Sequence, residues 1–188
     1  MITMKILFVF VLGFAYATQE ELTHYQNEWY SIKVISKNWK INPQASNRII
    51  RTHGGLDTSW STSFVPENRE EVDDCGFSFS IHTYMHPEQI KINVDSMFVK
   101  NIDATKGMQG FISLESSQLL INNQSIRTVT SISEITHPGT GNLNKLTCKK
   151  WFMEGQNNLY IIGFCSCNFY KQYLPIIEEK MLPTFKEK

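Results

Sequence analysis

The segment from Leu143 to Lys186 constrains the fold more than any other part of the chain. It reads as a strand, the four-residue turn Gly155-Gln156-Asn157-Asn158, a second strand and a short helix, and turns of that length join neighbouring antiparallel strands. Setting Glu154 opposite Leu159 fixes the register. Trp151 then faces Ile162, Met153 faces Tyr160 and Lys149 faces Phe164, so one face of the ribbon is strongly apolar. The same register puts Cys148 opposite Cys165, with Cα atoms roughly 4.5–5.5 Å apart, a span that a disulfide bridges. The alternative is a pair of buried free thiols that pack as small hydrophobes. Beyond the ribbon, Asn168 suits a helix N-cap. Tyr170, Leu174, Ile177 and Met181 then share one helical face that packs onto the sheet. Pro175 predicts a kink or restart, and Pro183 a stop.

The other end of the chain predicts export. Residues 1–17 hold Lys5, an apolar run from Ile6 to Phe14 and the small residues Ala15 and Ala17, the layout of a secretory signal peptide. The apolar run is shorter than the ~20 residues a membrane span needs. Residues 18–188 are expected to form a single domain. Lys+Arg and Asp+Glu number 18 each, and losing Lys5 with the leader leaves a slight negative excess. That balance argues against nucleic-acid partners and against capture by an anionic membrane. Hydrophobic residues make up 41% of the chain, enough to build a full core. Cys75, Cys148, Cys165 and Cys167 permit two disulfides in three connectivities.

Between these ends strands dominate. Trp29 to Ile35 alternates apolar and polar side chains, and Phe77, Phe79, Ile81, Thr83 and Met85 alternate with Ser78, Ser80, His82, Tyr84 and His86. Residues 18–28 read as a leader helix or frayed terminus, and residues 42–55 give no clear pattern. Asp57 to Val65, Phe111 to Leu114 and Ser125 to Glu134 read as strands. Asp95 is expected to cap a helix running to about Ala104. The fold class is therefore α+β, with a central antiparallel sheet and a C-terminal helix packed on it.

The motifs NNLYIIGFCS and FYKQYLPIIEEKMLPTFK, with an aromatic strand end near Phe152, resemble the C-terminal signature of the PsbP-like superfamily. WYSIKVISKNW resembles the family's opening strand, turn and Trp (here Trp39), although the usual Pro of that turn is missing. SQLLINNQSIRTVTSIS is similar to the segment in which a small turn precedes a long central strand. The resemblance covers most of residues 25–186. It implies an α/β/α sandwich and a binding or assembly role. Members include the extrinsic photosystem II protein, periplasmic DcrB-type proteins and a Ran-binding nuclear transport factor. The shared motifs describe packing rather than chemistry.

Chemical motifs are weak. His82 and His86 would share a metal ion on a helix, but on a strand they lie about 13 Å apart, so a solvated face is expected and no metal or other cofactor. Cys165-Ser166-Cys167 lacks partner ligands for zinc. A Cys/His hydrolase using His53 or His137 has no recognisable setting, and Glu70-Glu71 and Asp73-Asp74 read as solvated loop carboxylates. Gly107 to Gly110 and Gly139 to Gly141 lack the Lys of a phosphate loop. Asn123-Gln124-Ser125 matches a glycosylation acceptor if the host is eukaryotic. No residue is assigned to catalysis. The expected function is that of a secreted or periplasmic, non-enzymatic binding or assembly-support protein, with no membrane span and a protein or small-molecule partner. The competing readings are a lipocalin-type carrier and a secreted hydrolase.

Overall fold

Two runs of alternating side chains, on either side of the turn at residues 155–157, lay down the middle of a large antiparallel sheet. The structure is a computed structural model that describes residues 21–35, 39–42, 48–51, 58–67, 75–85, 93–137 and 139–188. Its strands are β1 (Leu22–Gln26), β2 (Tyr30–Ile35), β3 (Trp39–Ile41), β4 (Arg48–Arg51), β5 (Thr58–Pro66), β6 (Ser78–Met85), β7 (Phe111–Ile121), β8 (Gln124–Thr136), β9 (Leu143–Glu154), β10 (Asn158–Ser166) and β11 (Lys186–Glu187). Helix α1 (Val94–Lys106) lies between β6 and β7. Helix α2 (Tyr170–Ile176) continues through a wide turn at Ile177–Met181 into a 3-10 turn at Leu182–Thr184.

The large sheet runs β3-β5-β6-β10-β9-β8-β7, with β4 also paired to β5, and a small sheet runs β1-β2-β11. The β9–β10 hairpin has Glu154 opposite Leu159, Trp151 opposite Ile162 and Cys148 opposite Cys165. Cys148 and Cys165 are bridged with Cα atoms 4.1 Å apart. Cys75 and Cys167 are bridged with Cα atoms 5.6 Å apart, which ties the approach to β6 to the end of β10.

The period of two sends the sheet's side chains into two cores. Phe79, Ile81, Trp151, Tyr160, Ile162 and Phe164 face the first, which the small sheet and the segment from Tyr173 to Phe185 close. Trp39 seats there against Phe77, Phe79, Phe164 and Tyr173. Each such side chain, fully buried, contributes about 1.5–3 kcal/mol. Val129, Phe152 and Ile161 face the second core, which α1 covers through Phe98. Phe98 meets Phe152 edge-on at 5.2 Å, and Arg127 lies over the Phe98 ring at 5.2 Å. The result is an α+β sandwich: helix on one face, antiparallel sheet in the middle, helical segment and small sheet on the other. Among the described residues the large sheet is open, ending at β3 and β7, and carries helical segments on both faces, which is not the closed barrel of a lipocalin.

Several local expectations are corrected. Residues 22–26 form a strand, because Leu22 and Tyr25 lean on the first core while their neighbours stay wet. That spacing of three disguises the strand. Asn93 caps α1, its Oδ1 accepting from the N–H groups of Asp95 (2.7 Å) and Ser96 (3.2 Å). Asp95 instead pairs with Arg127 at 2.8 Å. Phe169 precedes α2, its N–H donating to Ser166 Oγ at 2.8 Å, which displaces Asn168 from the cap. Strand β7 runs on to Ile121, and the turn beyond it is Asn122-Asn123, both at positive φ (49° and 64°). Asn tolerates that conformation, and the twist of a primed turn matches the strands it joins.

Candidate functional site

At one end of the sandwich the β1–β2 turn, the start of β5 and the end of β6 frame an open cleft of about 730 Å³. Its walls are Trp29, Trp60 and Met85, with Gln26, Asn27, Glu28 and Lys188 around them. The Trp29 and Trp60 rings lie 4.7 Å apart with planes tilted by 47°. Both indoles are only half-buried, which leaves apolar ring surface facing solvent.

The backbone that presents Trp29 is pinned from several sides. Asn27 Oδ1 accepts from the N–H groups of Trp29 and Tyr30, each at 3.0 Å. The Trp29 carbonyl accepts from the Tyr160 hydroxyl at 3.0 Å and from the Lys188 backbone N–H at 2.9 Å. Lys188 Nζ donates to the Asn27 carbonyl at 2.6 Å. Glu187 completes the frame: its carboxylate accepts from the backbone N–H groups of Gln156, Asn157 and Asn158 and lies 3.2 Å from the Tyr160 hydroxyl. Burial raises the Tyr160 pKa above the ordinary tyrosine value, so its hydroxyl keeps its proton and remains a donor. An aromatic anchor fixed in this way loses little freedom when a partner arrives.

Behind the two indoles lies an under-satisfied polar seam. Among the described residues, Asn27 Nδ2, the Tyr30 hydroxyl, Trp60 Nε1, Thr62 Oγ1 and Thr83 Oγ1 are buried without a well-formed hydrogen bond. Thr83 stands opposite both Trp60 and Tyr160 in the sheet. The Tyr30 hydroxyl faces Thr62 and Asn27, but burial dominates and raises its pKa. A buried group left with no partner, as Trp60 Nε1 and Thr83 Oγ1 are here, costs about 1–3 kcal/mol.

The residues singled out in the sequence lie elsewhere. His82 is on the α1 side of β6, its pKa lowered first by burial and then by the charge of Lys150. His86, His53, Glu70, Glu71, Asp73 and Asp74 lie outside the described residues, as does the leader. His137 organises a turn, its Nδ1 accepting from the N–H groups of Gly139 and Thr140 at 3.1 Å. Asn123 stands exposed at the tip of the β7–β8 hairpin. Among the described residues, no three His, Cys, Asp or Glu side chains gather to hold a metal ion. No helix there is long and apolar enough to cross a membrane. The cleft itself gave little sequence signal: Trp29 reads as a strand start, Trp60 as a strand interior, and Lys188 lies beyond the last motif.

No family model matches the chain, and no curated protein matches it. Among solved structures, the chain is similar to cyanobacterial PsbP (CyanoP) from Synechocystis sp. PCC 6803, at 12% identity and a TM-score of 0.49, covering 90% of this chain and 94% of that one. It is also similar to LpqN, involved in cell envelope biogenesis of Mycobacterium tuberculosis, at 12% identity and a TM-score of 0.46, covering 89% of this chain and 91% of that one. Both neighbours are of PsbP-like fold, and the likeness is one of chain path.

Proposed function

We propose that this protein is exported and acts as a non-enzymatic binding or assembly factor that engages a segment of a partner protein through the Trp29–Trp60 cleft. The observation that carries the reading is the pair of half-exposed indoles on a clamped backbone. Partly exposed, pre-positioned Trp side chains ringed by polar groups have the anatomy of a protein-binding hot spot. Glu28, Lys188 and the amide of Gln26 supply that ring. The leader-like residues 1–17 and the two disulfides support an oxidising compartment outside the cytoplasm. A small hydrophobic ligand is the weaker reading, because the cleft is open and the sheet beneath it is filled by fully buried side chains.

The test uses the mature protein, residues 18–188, as wild type and as the double variant Trp29→Ala/Trp60→Ala. Cross-linking in the exported fraction of the native host, followed by mass spectrometry, should join a protein segment to the β1–β2 turn in the wild type and lose it in the variant. Circular dichroism of the variant controls for folding. Equal cross-linking by both proteins, or a lipid adduct in native mass spectra with no protein partner, would overturn the proposal.

A further inference from the structure

The face of the large sheet that carries α1 holds a second polar centre, away from the cleft. Lys150 on β9 stands opposite Gly163 on β10, which stands opposite Ser80 on β6. His82, two residues along β6, stands opposite Ile161 on one side and Ser61 on the other. Strand alternation places Ser61, Ser80, His82 and Lys150 on one face with Gly163 in their midst. A side chain at Gly163 would begin 3.5 Å from Ser80 Oγ and 3.9 Å from Lys150 Cγ. The glycine thus keeps the ground between hydroxyl, imidazole and ammonium clear.

The charges here are not balanced. Lys149, on the opposite face, pairs with Glu178 at 2.6 Å, and Arg127 pairs with Asp95 at 2.8 Å. Among the described residues Lys150 donates to the neutral amide oxygen of Asn101, on α1, at 2.9 Å. Among the described residues no carboxylate forms an ion pair with it, and burial lowers its pKa. An ammonium carries three N–H donors and no acceptor, so two of its donors have no described partner. Ser61 is 6% exposed, so this ground is partly dry and a charge placed on it is poorly screened. The serines and the imidazole can each donate or accept, and among the described residues around Gly163 the fixed charge is the Lys150 ammonium.

We propose that the surface around Gly163 is an oxyanion site, taking a phosphate or carboxylate group between Lys150 Nζ and His82 with Ser80 as an auxiliary donor. The anion supplies the counter-charge that Lys149 and Arg127 already have from side chains. Charge-assisted hydrogen bonds from an ammonium to such oxygens are the strong kind. The site is independent of the Trp29–Trp60 cleft, so either can fail alone.

The experiment titrates the mature protein with inorganic phosphate and, separately, with acetate at constant ionic strength. Binding is followed by the NMR signals of the Lys150 side chain and the His82 ring. Saturable shifts confined to this face are expected, with phosphate and acetate affinities distinguishing the two oxyanion classes. Lys150→Met should weaken binding at least about tenfold, the loss expected when a charge-assisted contact is removed, whereas Lys150→Arg should keep saturable binding and Lys149→Met, on the opposite face, should bind like the wild type. Circular dichroism and thermal melting establish that each variant is folded, and Lys150→Arg tests the charge independently if Lys150→Met is not. Linear, non-saturating shifts, or equal affinity in wild type and a folded Lys150→Met, would overturn the proposal.

Discussion

Removing the two disulfides one at a time should cost different amounts, and the order follows from their place in the chain. Cys75 and Cys167 are 92 residues apart, and Cys148 and Cys165 are 17 apart. In the chain-entropy account, closing the longer loop stabilises the fold by about 4.6 kcal/mol and closing the shorter by about 3.1 kcal/mol. Cys75→Ala/Cys167→Ala should therefore destabilise by about 1.5 kcal/mol more than Cys148→Ala/Cys165→Ala. Alanine is the right replacement because Cys75 is 2% exposed, and serine there would bury a hydroxyl. Together the losses approach the whole stability of an ordinary domain, about 5–15 kcal/mol, so the fourfold variant should be largely unfolded at 37 °C. Urea unfolding under non-reducing conditions, followed by tryptophan fluorescence, gives the free energies. These must be compared at zero denaturant, since a looser unfolded chain also steepens the denaturant slope. If losing the hairpin bridge costs as much as losing the long one, the loop-entropy reasoning fails. Peptide mapping that finds Cys148 joined to Cys167 would refute the connectivity itself.

Two further predictions concern single side chains. Gly110 and Gly141 both have positive φ (76° and 71°), but a Cβ at Gly110 would collide with the Glu134 carbonyl, while one at Gly141 would meet nothing within 4 Å. Gly141→Ala should cost about 1–2 kcal/mol of backbone strain, and Gly110→Ala clearly more; equal costs in urea melts would show that the collision is relieved without penalty. For His82, the folded-state pKa lies below 6.5 because of burial and then Lys150, so below that pH the unfolded chain binds more protons than the folded one. This group's contribution is then level above about pH 6.5 and falls as pH drops through the window beneath it. Measured at pH 8, 7, 6 and 5, His82→Asn should lose less stability on acidification than the wild type, and parallel profiles would exclude the effect.

What the sequence disclosed and what it hid have physical causes. The β9–β10 register was legible because a turn of fixed length and a period of two leave one arrangement that buries Trp151, Tyr160 and Ile162 together. The C-terminal helical face was legible in part: Ile177 and Met181 are buried as the spacing implies and Tyr170 and Leu174 lean on the core, but the fully packed aromatic of that helix is Tyr173, which the spacing passed over. Strand β1 was hidden because a short edge strand that touches the core only at Leu22 and Tyr25 shows no alternation. The cleft was hidden because half-exposure is a property of assembly: Trp29 and Trp60 are separated by 31 positions in sequence and meet only when the small sheet docks on the large one. Lys150 was hidden by its neighbour. Lys149 and Lys150 are the same residue type side by side, and only the fold gives one a carboxylate and denies it to the other.

The pairing of β11 with β2 has a consequence for how the molecule comes into being. Tyr30 and Ile32 are fully buried, yet Tyr30 stacks on Phe185 at 5.4 Å and Ser31 pairs with Lys186. A chain synthesised from its N-terminus presents residues 22–35 long before residues 185–188 exist. During that interval the hairpin has no floor and exposes the side chains that Tyr160 and Phe185 will later cover. Contacts of such long sequence separation slow folding. A chain lacking residues 185–188 should therefore leave the β1–β2 hairpin without its floor.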